Sequence, residues 1–327
     1  MRLFSKNKAP MEQIVSKSII SEVSSGTSFI EANTEPISFD HIRRSHIIPV
    51  FSKDNEPLIS QTMFISAVRD CVHSYFENEV ISEPDIRVSH PIKGRVPNAC
   101  HKPANQLHES EKTVYYERMI FKIDVPSIHR TIDGDEISLS IGGVKAYNLD
   151  SIGKDSRSAQ HFKLFIGFKN TVCSNLCLWS DGSTQSILVT SVNDLYRQIE
   201  NLIGSFEQES AFNKMKCWQD LGLTEFQFAQ LLGRCRMYPS LPGKVKKEIF
   251  ALDITDSQMM SVSRAYQNLQ VVKNGSFLSL WQLYNLLTSS IKSSYIDRYL
   301  DRSVNSYDLI HHLHDALDNG SHSWYLS

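Results

Sequence analysis

Three short runs decide the fold of this chain: Met119-Ile120-Phe121-Lys122-Ile123-Asp124-Val125, Asp133-Gly134, and Ile137-Ser138-Leu139-Ser140-Ile141-Gly142-Gly143. In the first, Met119, Phe121, Ile123 and Val125 are apolar at every second position, the period of a strand whose side chains alternate between two faces. Ile137, Leu139 and Ile141 repeat the pattern with Ser138 and Ser140 between them. Asp133-Gly134 supplies a tight turn, because glycine accepts positive φ without a Cβ clash. The expectation is an antiparallel hairpin with one apolar and one polar face. Gly142-Gly143 reads as a bulge or kink on the return strand.

Upstream of the hairpin, Ile86 to Asn105 reads as extended or looped, punctuated by Pro91, Gly94, Pro97 and Pro103. Ser60 caps a helix carrying Phe64, Val68, Cys71, Val72 and Tyr75 at helical spacing. Ile47-Ile48-Pro49-Val50-Phe51 reads as a strand that its proline demotes to an edge. Residues 1–37 are rich in Ser, Thr, Glu and Asn, and are expected to form a mobile tail with one short helix near Ile14, Ile19 and Ile20.

Downstream, strands are expected near 162–169 and 186–190. From Ser191 the period changes: Val192, Leu195, Ile199, Leu202 and Phe206 are spaced 3, 4, 3, 4, the stripe of an amphipathic helix. Thr224 with Gln227 and Thr255 with Gln258 are capping boxes that open helices over 225–237 and 256–268. Ser276 opens another, with Trp281 and Tyr284 expected to face inward, and a last helix carries Tyr307, Ile310, Leu313 and Leu317. Strands first and helices later is the α+β pattern, with a central antiparallel sheet and a C-terminal all-helical half packed against it. The expected division is a tail over 1–37, a mixed α/β sheet domain over 38–190 and a helical domain over 191–327.

Composition narrows the function classes. The 327 residues carry 34 Lys+Arg against 36 Asp+Glu, a formal charge of −2 that excludes a histone-like polycation. Six scattered cysteines are too few for a disulfide scaffold, so a cytoplasmic location is expected. The N-terminus has no apolar core of a secretory signal, and no apolar run approaches the roughly 20 residues that span a bilayer.

No motif spells out a reaction. Ser140-Ile141-Gly142-Gly143-Val144-Lys145 lacks the spaced glycines of a dinucleotide loop, Gly243-Lys244 is followed by Val245 instead of Ser or Thr, and no G-x-S-x-G elbow occurs. Cys173 and Cys177 lack the spacing of a zinc site. His311 and His314 lie one helical turn apart, but a third ligand would have to come from elsewhere. Neither a metal nor a cofactor is therefore assigned.

Charge distribution carries more. No acid lies between Asp85 and Glu109, where Arg87, Lys93, Arg95 and Lys102 supply four cations. None lies between Glu225 and Glu248, where Arg234, Arg236, Lys244, Lys246 and Lys247 supply five. Folded next to each other, the two stretches would create a groove that tracks phosphates, with Tyr115 and Tyr116 as stacking candidates. The competing reading is two solvated loops balanced by acids elsewhere.

Ile48-Pro49-Val50-Phe51, Val88-Ser89-His90-Pro91-Ile92-Lys93-Gly94-Arg95, Glu111-Lys112-Thr113-Val114-Tyr115-Tyr116-Glu117-Arg118-Met119 and Phe165-Ile166-Gly167-Phe168-Lys169-Asn170 resemble an uncharacterised protein family carried on conjugative and other mobile elements of Bacteroidetes. A broader similarity links Val172-Cys173-Ser174-Asn175 and Leu283-Tyr284-Asn285-Leu286-Leu287-Thr288 to phage/plasmid-like proteins. Neither resemblance supplies a catalytic residue. Together they imply a bacterial cytoplasm and a mobile-element setting.

The functional expectation is a DNA-associated accessory protein of a mobile genetic element that binds or anneals single-stranded DNA through the nine basic residues named above. Its partner would be nucleic acid, with no membrane, and self-association stays open. One alternative is an enzyme with a diffuse polar site drawn from Asn148, His161, Asn170, Asn175 and Asp181. Another is a host-directed protein-interaction module presenting an exposed apolar stripe on a late helix.

Overall fold

The computed structural model describes residues 28–45, 59–152, 159–179, 182–269 and 277–327. The expected strand at Ile47–Phe51, the short helix near Ile14, the Ser276 cap and Asp181 lie outside the described residues. The hairpin is present: β3 (Lys112–Ile132) and β4 (Asp135–Ala146) pair antiparallel, and Ile132 opposes Asp135 across a two-residue turn. Asp133 has φ 49° and Gly134 φ 82°, the paired positive values of a type I′ turn, whose twist matches that of the flanking strands.

Around the hairpin grows a seven-stranded antiparallel sheet. Its path runs β1 (Glu35–Ile37), β2 (Asp85–Arg95), β3, β4 and β5 (Gln160–Asn170). Beyond β5 the edge is shared: β7 (Thr184–Val189) pairs with its first half, and β6 (Leu176–Cys177) with Phe168 and Lys169. Residues 28–37, assigned to the tail by composition, are part of this packing, since Phe29 and Ile30 are buried and β1 pairs with β2.

The register corrects the reading of Gly142-Gly143. The break in the ladder lies between Val125 and His129, while Gly142 and Gly143 pair without interruption on both sides. They are glycines because space is missing. A Cβ on Gly142 would lie 2.0 Å from the Phe121 carbonyl oxygen, and one on Gly143 would lie 2.4 Å from Cζ of Phe64.

Helices cover both faces of the sheet. On one, α1 (Phe39–Ser45), α2 (Gln61–Tyr75) and α3 (Val192–Gly204) bury Ile42, Phe64, Val68, Leu195 and Ile199 against Met119, Phe121, Ile123, Leu139 and Leu164. On the other, α8 (Leu280–Ile291) and α9 (Ile296–Asp318) bring Ile291, Ile296, Tyr299 and Leu300 onto Ile120, Val144 and Phe165. Ser60, Ser191, Thr224 and Thr255 cap helices as expected, and Ser279 with Gln282 forms a further capping box that opens α8.

The expected polar, solvated face of the hairpin is therefore buried. Ser138, Ser140, Lys122 and Asp124 are each under 7% exposed. Burying these groups costs free energy unless they find partners, and they find one another. Lys122 and Lys169 both reach Asp124 at 2.6 Å, and the Ser140 hydroxyl donates to it at 2.9 Å.

The remaining helices, α4 (Gln208–Lys216), α5 (Glu225–Met237), the short α6 (Gly243–Lys246) and α7 (Asp256–Tyr266), gather around α8 and the C-terminal part of α9. Their core takes in Ile132 and Ile137 at the hairpin tip, with Phe168 and Trp179. A two-stranded ladder of β8 (Gly222–Leu223) and β9 (Leu278–Ser279) ties the segment before α5 to the segment before α8. Trp281 and Tyr284 are fully buried, as their stripe implied. The fold is α+β, with the C-terminal helices packed on a central antiparallel sheet.

Candidate functional site

The second basic stretch forms a cationic and aromatic surface on α5 and α6. The Thr224–Gln227 box starts α5 and sets its phase, so that Arg234 and Arg236 emerge in its last turn. The Arg234 guanidinium stacks 4.8 Å from the Trp324 ring centroid and donates to the carbonyl oxygen of Ser327. After the Tyr238–Ser240 turn, Lys246 lies 5.3 Å from the Tyr238 ring centroid and donates to the Pro239 carbonyl at 2.7 Å. Lys244 and Lys247 are exposed, and among the described residues neither has an ion pair. Arg236 is the exception, held by Asp256 at 2.6 Å.

The first basic stretch is spent differently. Arg87 on β2 donates to the Thr34 carbonyl at 3.0 Å and to its hydroxyl, and its burial lowers the guanidinium's proton affinity against the pull of Asp85 and Glu31. Arg95 donates to the Lys102 carbonyl, and Lys102 is paired with Glu111. Lys93 alone of the four is exposed. Tyr116 is buried under α2, and the Tyr115 side chain lies outside the described residues.

Among the described residues, no hydrogen bond, ion pair or ring contact joins the two stretches. Arg95 opposes Lys112 at the start of β3, whereas the core beneath α5 takes in Ile132 at the end of that strand. Their expected junction into one groove thus spans the 21 residues of β3.

Of the five polar candidates, four lie among the described residues, and two of these meet. Asn170 and Asn175 meet at Asn285 of α8: the Asn170 amide donates to its side-chain oxygen at 3.4 Å, and the Asn175 amide to its carbonyl at 3.0 Å. Asn285 and the Trp281 indole both donate to Asp135, at 3.2 and 2.9 Å, and Lys292 donates to the Cys173 carbonyl. The turn between β5 and β6 includes Ser174 at φ 58°, a backbone conformation that this contact holds in place. The Cys173-Ser174-Asn175 segment and the Tyr284–Thr288 segment therefore touch, as a clasp between a turn and a helix.

His161 and Asn148 stand elsewhere. His161 Nε2 is hydrogen-bonded to Ser186 Oγ at 2.6 Å, and its backbone N–H donates to Asp150. Burial and then Lys163 hold its imidazole below the ordinary value, so it is neutral near pH 7. Beside it a cleft of about 370 Å³ is lined by Lys163, Ser186, Leu300 and Asp301. Lys163 is held there by Asp301 at 2.7 Å. Asn148 donates to Asp297, 3.4 Å away. Behind the histidine, Lys145 is wholly buried against the Phe162 ring and bridged to both oxygens of Asp150; its burial, opposed by Asp150, lowers its proton affinity. Sequence reading missed Lys145, Asp150 and Ser186, which no spacing connects.

Among the described residues no large aromatic stripe is exposed on the late helices: Trp281 is buried, Trp324 lies under Arg234, and the exposed large apolar side chains come from several elements, with Met63 and Tyr75 on α2, Leu188 on β7 and Phe226 and Met237 on α5. One group of three potential metal ligands among the described residues, His311, His314 and Asp315, has its ligand atoms within 4.8 Å of one another. No helix among the described residues is long and apolar enough to cross a membrane.

No curated protein and no solved structure matches the chain. One family does, from residue 11 to residue 326, almost its whole length. The chain belongs to the uncharacterised family described as "Domain of unknown function, B. Theta Gene description (DUF3871)".

Proposed function

We propose that this protein binds single-stranded nucleic acid, DNA foremost, through the α5–α6 surface, as an accessory protein of a mobile genetic element. The observation that carries the reading is the seating of Arg234 on the Trp324 ring and Lys246 on the Tyr238 ring, in the same basic stretch as the exposed Lys244 and Lys247, with one acid pairing the neighbouring Arg236. Cations that track a backbone beside rings that stack bases are the two parts a sequence-tolerant single-strand site needs. The mobile-element setting rests on the family resemblance alone.

Fluorescence anisotropy with a labelled oligonucleotide of about 40 nucleotides, at two salt concentrations, tests it. Neutralising four phosphates on a single strand gives a slope of log K against log salt of about −3. We expect that slope, and at least a tenfold loss of affinity in the double variant Lys244→Glu/Lys247→Glu. Lys93→Glu is expected to leave binding within twofold. An absence of binding at low salt, or binding indifferent to salt, would overturn the reading.

A second reading is favoured by one observation, the 2.6 Å contact of Ser186 with a neutral His161 at the rim of a cleft. It points to acyl transfer with Ser186 as nucleophile. It ranks second because His161 Nδ1 is buried without the acceptor that orients the base in such dyads. Labelling by a fluorophosphonate that disappears in Ser186→Ala would support it, and an unchanged intact mass would remove it.

A further inference from the structure

We propose that His311, His314 and Asp315, on the solvent side of the last two turns of α9, form a three-ligand site for a divalent transition metal of the zinc and nickel class. Two imidazoles and one carboxylate are the borderline donor set such ions take, and are a poor match for magnesium or calcium, which prefer all-oxygen shells. Asp315 Oδ1 lies 3.6 Å from His311 Nδ1 and 3.4 Å from His314 Nδ1. Ligands about 2.0–2.1 Å from a tetrahedral zinc are about 3.4 Å apart, so the carboxylate oxygen already stands at the edge length of a filled site. All three ligand atoms lie within 4.8 Å of one another.

A rigid helix carries all three. On its opposite side Leu309 and Leu313 are wholly buried, so the backbone that spaces the ligands is anchored in the core. Sequence reading found two histidines and no third ligand; Asp315 is that ligand, one turn beyond His311 on the same face. His312 does not join them: its Nε2 is hydrogen-bonded to Ser323, and its ring stacks on Phe250.

The surroundings favour a cation independently of the ligands. The last turn of α9 contains no lysine or arginine, and the carbonyl end of a helix carries partial negative charge. Asp318, Asp315 and Asp220 all raise the proton affinity of the Cys217 thiol, after the larger effect of its burial, so the same acids cast a negative field over this end of the molecule. The Cys217 thiol is turned to the Lys214 carbonyl at 2.9 Å. The fourth position is therefore left to water or to a donor on a bound partner. His311 and Asp315 are each about half exposed, which gives an ion a direct way in.

Cobalt(II) titration of chelator-treated full-length protein tests this, because a four-coordinate cobalt site absorbs visible light with an intensity that hexa-aquo cobalt lacks. We expect a visible band saturating at one ion per chain, displaced by zinc. His314→Ala and Asp315→Asn should each weaken binding at least tenfold, with far-ultraviolet circular dichroism unchanged. A variant with the free thiols Cys173 and Cys217 replaced by serine should retain the band. No saturable band, or the same affinity in His314→Ala and Asp315→Asn as in the parent chain, would overturn the proposal.

Discussion

Asp124 is one carboxylate shared by two lysines, Lys122 and Lys169, each 2.6 Å away in an interior closed by Phe29. Burial pushes its proton affinity up, and the two ammonium groups outweigh it, holding the carboxyl below its ordinary 3.8. Asp124→Asn leaves two buried cations without their counter-charge, and we expect a loss of about 3–5 kcal/mol in urea denaturation at pH 7. Because the folded carboxyl titrates below the unfolded one, its contribution is complete above the ordinary value and fades as pH falls through the depressed one. The gap between parent and variant should therefore narrow below pH 3.8, and a gap constant to acid pH would contradict the assignment. Glycines separate two other effects. Gly142→Ala forces a Cβ against the Phe121 carbonyl and should cost about 3 kcal/mol, whereas Gly134→Ala meets open space and bears only the strain of φ 82°, about 1 kcal/mol. The Gly134 role was legible in sequence because a turn is local chemistry. That of Gly142 was not, because the atoms it makes room for come from two other strands.

α8 joins the clasp to the core. Trp281 is wholly buried, with its indole N–H on Asp135, so Trp281→Ala should lower stability by about 3–5 kcal/mol, with a clear fall in melting temperature. An unchanged melting point would mean that this face of the helix does not carry the packing. Asn285→Ala removes the side-chain contacts to Asn170 and Asp135 while the Asn175 amide keeps its backbone carbonyl; it leaves the buried Asn170 amide without that partner and should cost about 1–3 kcal/mol. The cap residues Ser60, Ser191, Thr224 and Thr255 were readable because capping is set within four residues. Ser279 was missed although Gln282 completes the same pattern. The polar stripe of the hairpin misled for a physical reason: alternation tells which side chains share a face, but whether that face meets water depends on α8 and α9, which arrive from the far end of the chain. Among the site residues, the cations of the second stretch were legible as composition. Their aromatic partners, and the distance to the first stretch, are tertiary facts.

At the scale of the whole molecule, sheet and helices share their largest core, with Ile132, Ile137 and Phe168 from the strands packed among residues of α4 to α9. All four tryptophans, Trp179, Trp218, Trp281 and Trp324, lie in or against that core. Tryptophan emission therefore follows the helical side, while far-ultraviolet circular dichroism follows the entire chain. Melting curves from the two should coincide, and separate midpoints would show that the helices unfold on their own. The cysteines have a practical consequence. Burial makes thiolates scarce at Cys173, Cys177, Cys217 and Cys235, and at Cys71, where it raises the pKa to about 11, while Cys100 is exposed. A maleimide dye added briefly at neutral pH would thus settle on one position, two residues from Lys102, and report by its own brightness whether an oligonucleotide ever approaches the β2 side of the protein.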